Sequence, residues 1–222
     1  MSKLSKTDAE LGKKVQQFLI QKQVETPMKN ADNKEDQYQI IRDSYERIMT
    51  SLGLDLTDDS LRGTPDRVAK MFVHEIFYGL DYNLFPKSTS VENKARYDEM
   101  VIERNITAIS NCEHHFVTID GLCHIAYVPK DKVLGLSKLN RIVDFFSKRP
   151  QIQERLTEQI YWTLVYLLDT EDVAVVIEAV HYCVKSRGIR DTNSSTVTSK
   201  MGGWFRKNSD SRKEFLQMIS KK

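Results

Sequence analysis

Apolar positions along the chain follow two periods, and the change from one to the other divides it. Between Ala9 and Gln23, Val15, Phe18 and Leu19 share a helical face; Glu25-Thr26-Pro27 and the polar run from Lys29 to Gln37 then break the pattern, which predicts a helix followed by a linker. Tyr38, Ile41, Tyr45, Ile48, Met49 and Leu52 recur at three-and-four spacing up to Gly53, a residue suited to a left-handed cap, and predict a second helix. In a third, Thr64 is placed to cap, Pro65 suits the first helical position and Asp66 faces the positive end of the dipole. Val68, Met71, Phe72 and Ile76 form its apolar stripe, and Gly79 ends it.

From about Glu99 the period shortens. Met100 to Ile106, Phe116 to Ile119, Cys123 to Val128 and Val173 to Cys183 are β-branched and aromatic runs bounded by turn residues, which predicts four strands. Ser137 is placed to cap a helix carrying Leu139, Ile142, Val143 and Phe146; Pro150 interrupts it, and Gln151 to Leu168 predicts a longer one. The order describes an α+β domain over residues 96–222, an antiparallel four-stranded sheet with two helices on one face, preceded by a helical region over residues 1–95.

Composition narrows the function mainly by exclusion. A formal charge of +2 over 222 residues argues for neither a nucleic-acid nor a membrane partner, so any positive charge that matters is local. The charged start, MSKLSKTDAELGKK, lacks the apolar run of a signal peptide, and no stretch approaches the roughly 20 apolar residues of a membrane span. A cytoplasmic protein is expected. In a reducing compartment Cys112, Cys123 and Cys183 are free thiols or metal ligands rather than a disulfide framework.

The run Ser110-Asn111-Cys112-Glu113-His114-His115-Phe116 sets a thiol and an imidazole two residues apart, so that one turn can offer Cys112 and His115 to one ion. Cys183, at the end of a predicted strand in His181-Tyr182-Cys183, is the natural third ligand, with His181 expected on the same strand face. Three protein ligands leave one zinc position open for water, whose pKa the ion lowers toward about 7, as a catalytic site needs. Two plainer readings compete: a closed structural site with Cys123 as fourth ligand, and three buried core thiols. His114 and His181, each beside a proposed ligand, are candidate proton carriers, whereas His74 and His124 have no such company.

Ser137, Lys138 and Arg141 combine an expected helix N-terminus with two cations one turn apart, a plausible phosphate cradle, although basic residues on a helix are usually solvated. Arg187, just after Cys183, would bring a guanidinium near the same ion.

With these residues in hand, the chain resembles the GTP cyclohydrolase I family, through Cys-Glu-His-His-Phe at 112–116, Gly-Leu-Ser-Lys-Leu-Asn-Arg at 135–141, Arg-Pro-Gln-Ile-Gln-Glu-Arg-Leu-Thr at 149–157 and His-Tyr-Cys at 181–183. The resemblance runs from about Asp58 to the C-terminus and implies the tunnelling fold. It implies conversion of GTP and water to 7,8-dihydroneopterin triphosphate and formate, the first step of tetrahydrofolate synthesis, with zinc-bound water attacking carbon 8 of guanine. It implies one zinc per subunit on Cys112, His115 and Cys183, and acid–base roles for His114 and His181. Ser137, Lys138, Arg141 and Arg187 then match triphosphate contacts, Gln153 and Glu154 match guanine contacts, and Arg67 and Lys70 match a neighbour's triphosphate more weakly. Finally it implies a homodecamer with active sites shared between subunits. The alternatives are a non-enzymatic zinc-stabilised nucleotide-binding module, or another purine or pterin enzyme of the same fold.

Overall fold

Asp8 opens the first helix, α1 (Ala9–Gln21), its carboxylate accepting from the Leu11 amide at 2.9 Å. The computed structural model describes residues 6–29 and 31–220. The first five residues of the charged start read above, and Asn30 within the expected linker, lie outside the described residues. Helix α2 (Lys34–Ser51) begins inside that linker: Asn33 accepts from the Asp36 amide at 3.0 Å, and Glu35 and Asp36 occupy the first turn. Capping and the dipole, not an apolar stripe, carry this turn, so periodicity did not reveal it.

Helix α3 (Thr64–Met71) is capped by Gly63 rather than Thr64, whose hydroxyl accepts from the Arg67 guanidinium at 2.7 Å. It runs on into a π-helical turn, Phe72–Ile76. Because α3 packs on α2, the expected stripe is half-buried, and full burial falls on Pro65, Ala69 and Val73. Gly79 does not stop a helix. It lies in a 3-10 turn, Tyr78–Leu80, where a β-carbon would come within 2.0 Å of the Phe145 carbonyl oxygen.

Strand β1 (Ser90–Glu92) pairs with β4 (Lys132–Leu134) as a separate ribbon. The main sheet contains β2 (Val101–Cys112), β3 (Thr118–Tyr127), β5 (Pro150–Gln151), β6 (Val173–His181) and β7 (Thr196–Met201), in the order β5-β2-β3-β6-β7. The four longer strands are antiparallel and β5 joins in parallel, so the expected count of four holds with a different membership. β2 continues past Ile106 to Cys112 because its inward positions there, Ala108 and Ser110, are too small or polar to register as alternation. A bulge at Asn105, with φ of 60°, also shifts its register between Glu103 and Ile106. The two runs on either side of Gly121 form one strand, β3. Gly121 is no turn: a β-carbon there would lie 2.5 Å from that of Ala179 on β6.

Helices α4 (Leu136–Ser147) and α5 (Gln153–Leu168) cover one face, as expected, and α1 joins them. Val15, Leu19, Leu139, Ile142, Phe146, Leu156, Ile160 and Leu164 pack with Ile106, Ile119, Cys123, Ile125, Val175 and Ile177. Gly135, not Ser137, occupies the cap position of α4, and no side chain caps it. After β6 comes a single turn, α6 (Tyr182–Lys185), and the chain ends in α7 (Gly203–Lys207) and α8 (Ser209–Ser220). Phe205 and Phe215 of these last two helices cover Ala126, Ala174 and Val176 on the opposite face. That second layer was not expected.

The N-terminal helices are tied to this core through one fully buried cation. Arg149 donates to Glu25 at 3.2 Å, to Thr26 and Tyr82 at 3.4 Å each, and to the Gly79 carbonyl, while its guanidinium lies 4.7 Å from the Phe146 ring centroid. Arg149→Ala should lower unfolding stability by about 3–5 kcal/mol, because it strands the largely buried Glu25 carboxylate. Urea unfolding followed by circular dichroism measures this, and an unchanged midpoint would count against the role.

Candidate active site

Five residues, Glu113–Val117, join β2 to β3, and their backbone bonds fold the loop over the last residue of β2. The Phe116 amide donates to the Cys112 carbonyl at 2.8 Å, and the Cys112 amide to the Val117 carbonyl at 2.8 Å. His115 is thereby returned over Cys112. Cys183 arrives from the neighbouring strand by a different route from the one expected. Pairing of β6 with β3 ends at His181 opposite Ile119; beyond it the chain has no strand partner and forms the turn α6, so Cys183 sits on a helical turn and shares no strand face with His181. The ligand atoms of Cys112, His115 and Cys183 lie within 4.8 Å of one another.

The chemistry of this donor set fits a cation. Burial, and then the hydrogen bond and charge of the neighbouring Cys112 thiol, push Cys183 above its ordinary value, with Arg187 opposing. A divalent ion supplies the countercharge that lets two adjacent thiols serve together as thiolate ligands. Cys123 is no part of the group. It is fully buried in the core, and that burial alone pushes its thiol up. His124, also left without a role by the sequence, accepts from the Asn105 amide at the β2 bulge, at 3.3 Å.

Both flanking imidazoles are near. His114 is exposed, with Nδ1 3.6 Å from the Cys112 sulfur. His181 Nε2 lies 2.7 Å from Gln153 Oε1, and Gln153 is 2 % exposed. The amide nitrogen of Gln153 donates to the carbonyls of Ile177 and Thr196 at 3.0 and 2.9 Å, so its oxygen is the acceptor facing His181. That assigns the His181 proton to Nε2 in the neutral ring and leaves Nδ1 free. Burial, opposed by Glu154, holds His181 below its ordinary value of 6.5.

Sequence reading missed the braces behind these groups. Arg155 pairs with Glu113 at 2.5 Å, tying the loop to α5, and Gln153 reaches β7, a strand not foreseen. Neither partnership carries a sequence signal, because the partners lie far apart along the chain.

Arg187 joins the site, its Nη1 2.9 Å from His115 Nε2. Glu154 is exposed in the first turn of α5 beside the buried Gln153. Ser137, Lys138 and Arg141 lie elsewhere. Asn140 next to them donates to Glu103, whereas Lys148 at the far end of α4 reaches the Ile109 carbonyl near Cys112. Ten residues of helix, about 15 Å, separate Lys138 from Lys148. Within one chain these three residues therefore stand at the opposite end of β2 from the Cys112–His115–Cys183 group. Arg67 and Lys70 are exposed on α3, whose π turn abuts the metal loop through Phe72 and Phe116.

The model of a family described as GTP cyclohydrolase I matches residues 41–220. Among curated relatives, GTP cyclohydrolase 1 of Mannheimia succiniciproducens is 54% identical over 219 residues, covering 98% of this chain and 100% of the relative. That of Yersinia enterocolitica is 54% identical over 220 residues, with 99% and 98% covered. That of Aeromonas salmonicida is 57% identical over 194 residues, with 87% and 89% covered.

Single substitutions should separate the three thiols. Cys112→Ser and Cys183→Ser should lose bound metal, and Cys123→Ser should retain it at the parent stoichiometry, as read by elemental analysis of purified protein. Metal loss in Cys123→Ser with an intact fold would restore the closed, four-ligand reading.

Proposed function

The chain belongs to the GTP cyclohydrolase I family, and from that premise we propose that it converts GTP and water to 7,8-dihydroneopterin triphosphate and formate, with zinc on Cys112, His115 and Cys183. The observation that carries this reading is the convergence of two thiols and an imidazole within 4.8 Å, from β2, its loop and α6. Zinc, when bound by three protein ligands, supplies Lewis acidity and lowers the pKa of water toward about 7.

The chain's own residues do the rest. Carbon 8 of guanine becomes electrophilic when nitrogen 7 is protonated, and His114 and His181 are the proton carriers within reach of the ligands. Gln153 holds His181 with its proton on Nε2, so Nδ1 is the atom that accepts and returns protons as the ring opens and the ribose rearranges. Glu154 accepts from the adjacent ring N–H and amino group of guanine, a pair of donors that adenine does not present. The side chain of Gln153 is committed to His181 and to β6 and β7, so its share in holding the base falls to its main-chain amide, one of the first-turn donors without an intrahelical partner.

Arg187 receives the triphosphate on the side of the metal ligands. Ser137, Lys138 and Arg141 stand at the far end of their own β2, which supports a site completed by these residues from a second copy, with Arg67 and Lys70 in a lesser role. Membership of the family supports a homodecameric ring and the tunnelling fold. Exposed Ile109, Leu122 and Val197 on the sheet, at 43%, 43% and 60%, supply apolar surface for such an assembly. A cytoplasmic location accords with the absence, among the described residues, of any helix long and apolar enough to cross a membrane. The rival reading, a zinc-stabilised nucleotide-binding module, needs a fourth protein ligand, and among the described residues the group has three.

Incubation of the zinc-loaded protein with GTP should release formate and, after oxidation, a fluorescent pterin; release of neither would overturn the reading. Glu154→Gln should lower kcat/KM for GTP by roughly 10²-fold or more, since two hydrogen bonds to a charged group, shielded from water once the base is bound, are lost. Its zinc content and assembly size should stay at the parent values. Wild-type rates and selectivity against ATP in this variant would place the base contact elsewhere.

A further inference from the structure

Phe116, half exposed at the metal loop, has a backbone that an aromatic residue rarely adopts. Its φ is 53°, in the left-handed region where a β-carbon crowds the chain and glycine is the unstrained choice. Both of its backbone polar groups are engaged with the strand end that carries the metal ligand: the amide donates to the Cys112 carbonyl at 2.8 Å, and the carbonyl accepts from Asn111 Nδ2 at 3.3 Å. A rotation at Phe116 would therefore swing the adjacent His115 relative to Cys112.

The ring explains how this conformation is held. Its centroid lies 5.1 Å from Phe77 and 6.1 Å from Phe72, with interplanar angles of 61° and 58°, and Phe72 and Phe77 stand 5.1 Å apart. These distances lie in the range of attractive edge-on aromatic packing. Residues five apart fall on different faces of a regular α-helix, and here the π turn, with the Phe77 amide bonded to the Phe72 carbonyl at 3.2 Å, brings the two rings together as a seat. With 48% of its surface exposed, Phe116 adds little to the core. Its ring contacts are with Phe72 and Phe77.

We infer that Phe116 is a positioning residue for the metal centre: its left-handed backbone turns His115 back toward Cys112 and Cys183, and its ring, seated on Phe72 and Phe77, holds that turn. The inference rests on reading those three residues as a metal centre. It makes metal affinity depend on two aromatic rings at the ends of the π turn after α3, Phe72 and Phe77, that touch no metal.

The test is cobalt(II) binding to the full chain, followed by competition with a chromophoric chelator and by the thiolate-to-cobalt absorption band. Phe116→Ala should bind about tenfold more weakly, with a shifted band at saturation; Phe116→Gly, which adopts the left-handed turn without strain, should lose less; and Phe116→Tyr should match the parent. Phe72→Leu, made from the opposite side of the contact, should weaken binding in the parent and add nothing in the Phe116→Ala background. A parent chain that binds cobalt while Phe116→Ala binds it equally well, or fully additive losses, would overturn this inference alone. A parent chain that takes up no metal would overturn the metal-centre reading and this inference with it.

Discussion

A guanidinium with no access to water is the constraint on which the rest of this structure turns. Arg149 lies at the junction of α4 and α5, and such a charge is tolerated only where its donors find acceptors at close range. Glu25, Thr26, Tyr82 and the Gly79 carbonyl provide them for its two terminal nitrogens, leaving Nε buried without a partner, and all four come from the N-terminal half of the chain. The helical region is therefore committed to one position on the α+β core. Tyr82 shows how enclosed the junction is: burial raises its phenol well above the ordinary value, with the Arg149 charge opposing.

The same residue sets the height of the candidate active site. Its carbonyl accepts from Ser110 at 3.3 Å, the next two residues pair with Asn111 and Cys112, and the Gln151 carbonyl accepts from the Glu113 amide at 3.0 Å. Gln151 is in turn bonded to Gln159 of α5, whose amide reaches back to the Val24 carbonyl. A short parallel strand thus carries the buried network forward to Cys112, the first candidate ligand. Two residues later the chain enters α5 at Gln153, which fixes His181. Ligand and proton carrier are positioned from one segment, 149–153, anchored at its back by a charge.

This arrangement also accounts for what one chain lacks. The candidate ligands Cys112, His115 and Cys183 cluster where β2 and β6 end, while the cationic first turn of α4 is held at the other end of β2 by the Asn140–Glu103 contact. Helix length keeps them apart, and no side-chain rotation closes about 15 Å. On the proposed reading, a substrate whose base reaches one set and whose phosphates reach the other calls for two copies.

Local chemistry settled a good deal from sequence alone. Helical and strand periods pointed to helices first and strands after them, and the cysteine and histidine pattern at 112–116 and 181–183 named the donor atoms that the fold brings together. Those signals are short in range: a two-residue ligand gap and a 3.6-residue stripe are properties of neighbouring residues. Features that depend on distant partners were not legible. Gly121 read as a break until Ala179 lay against it, β7 had no strong alternation until β6 offered an edge, and Cys183 left the strand because β3 ended. Arg149 read only as part of a motif, although it is the charge that joins the two halves. Sequence determined which groups could act, since ligand and proton chemistry belong to the residue itself. Tertiary structure decided which of them meet, because desolvation, strand pairing and the seating of Phe116 exist only once remote segments share the same space.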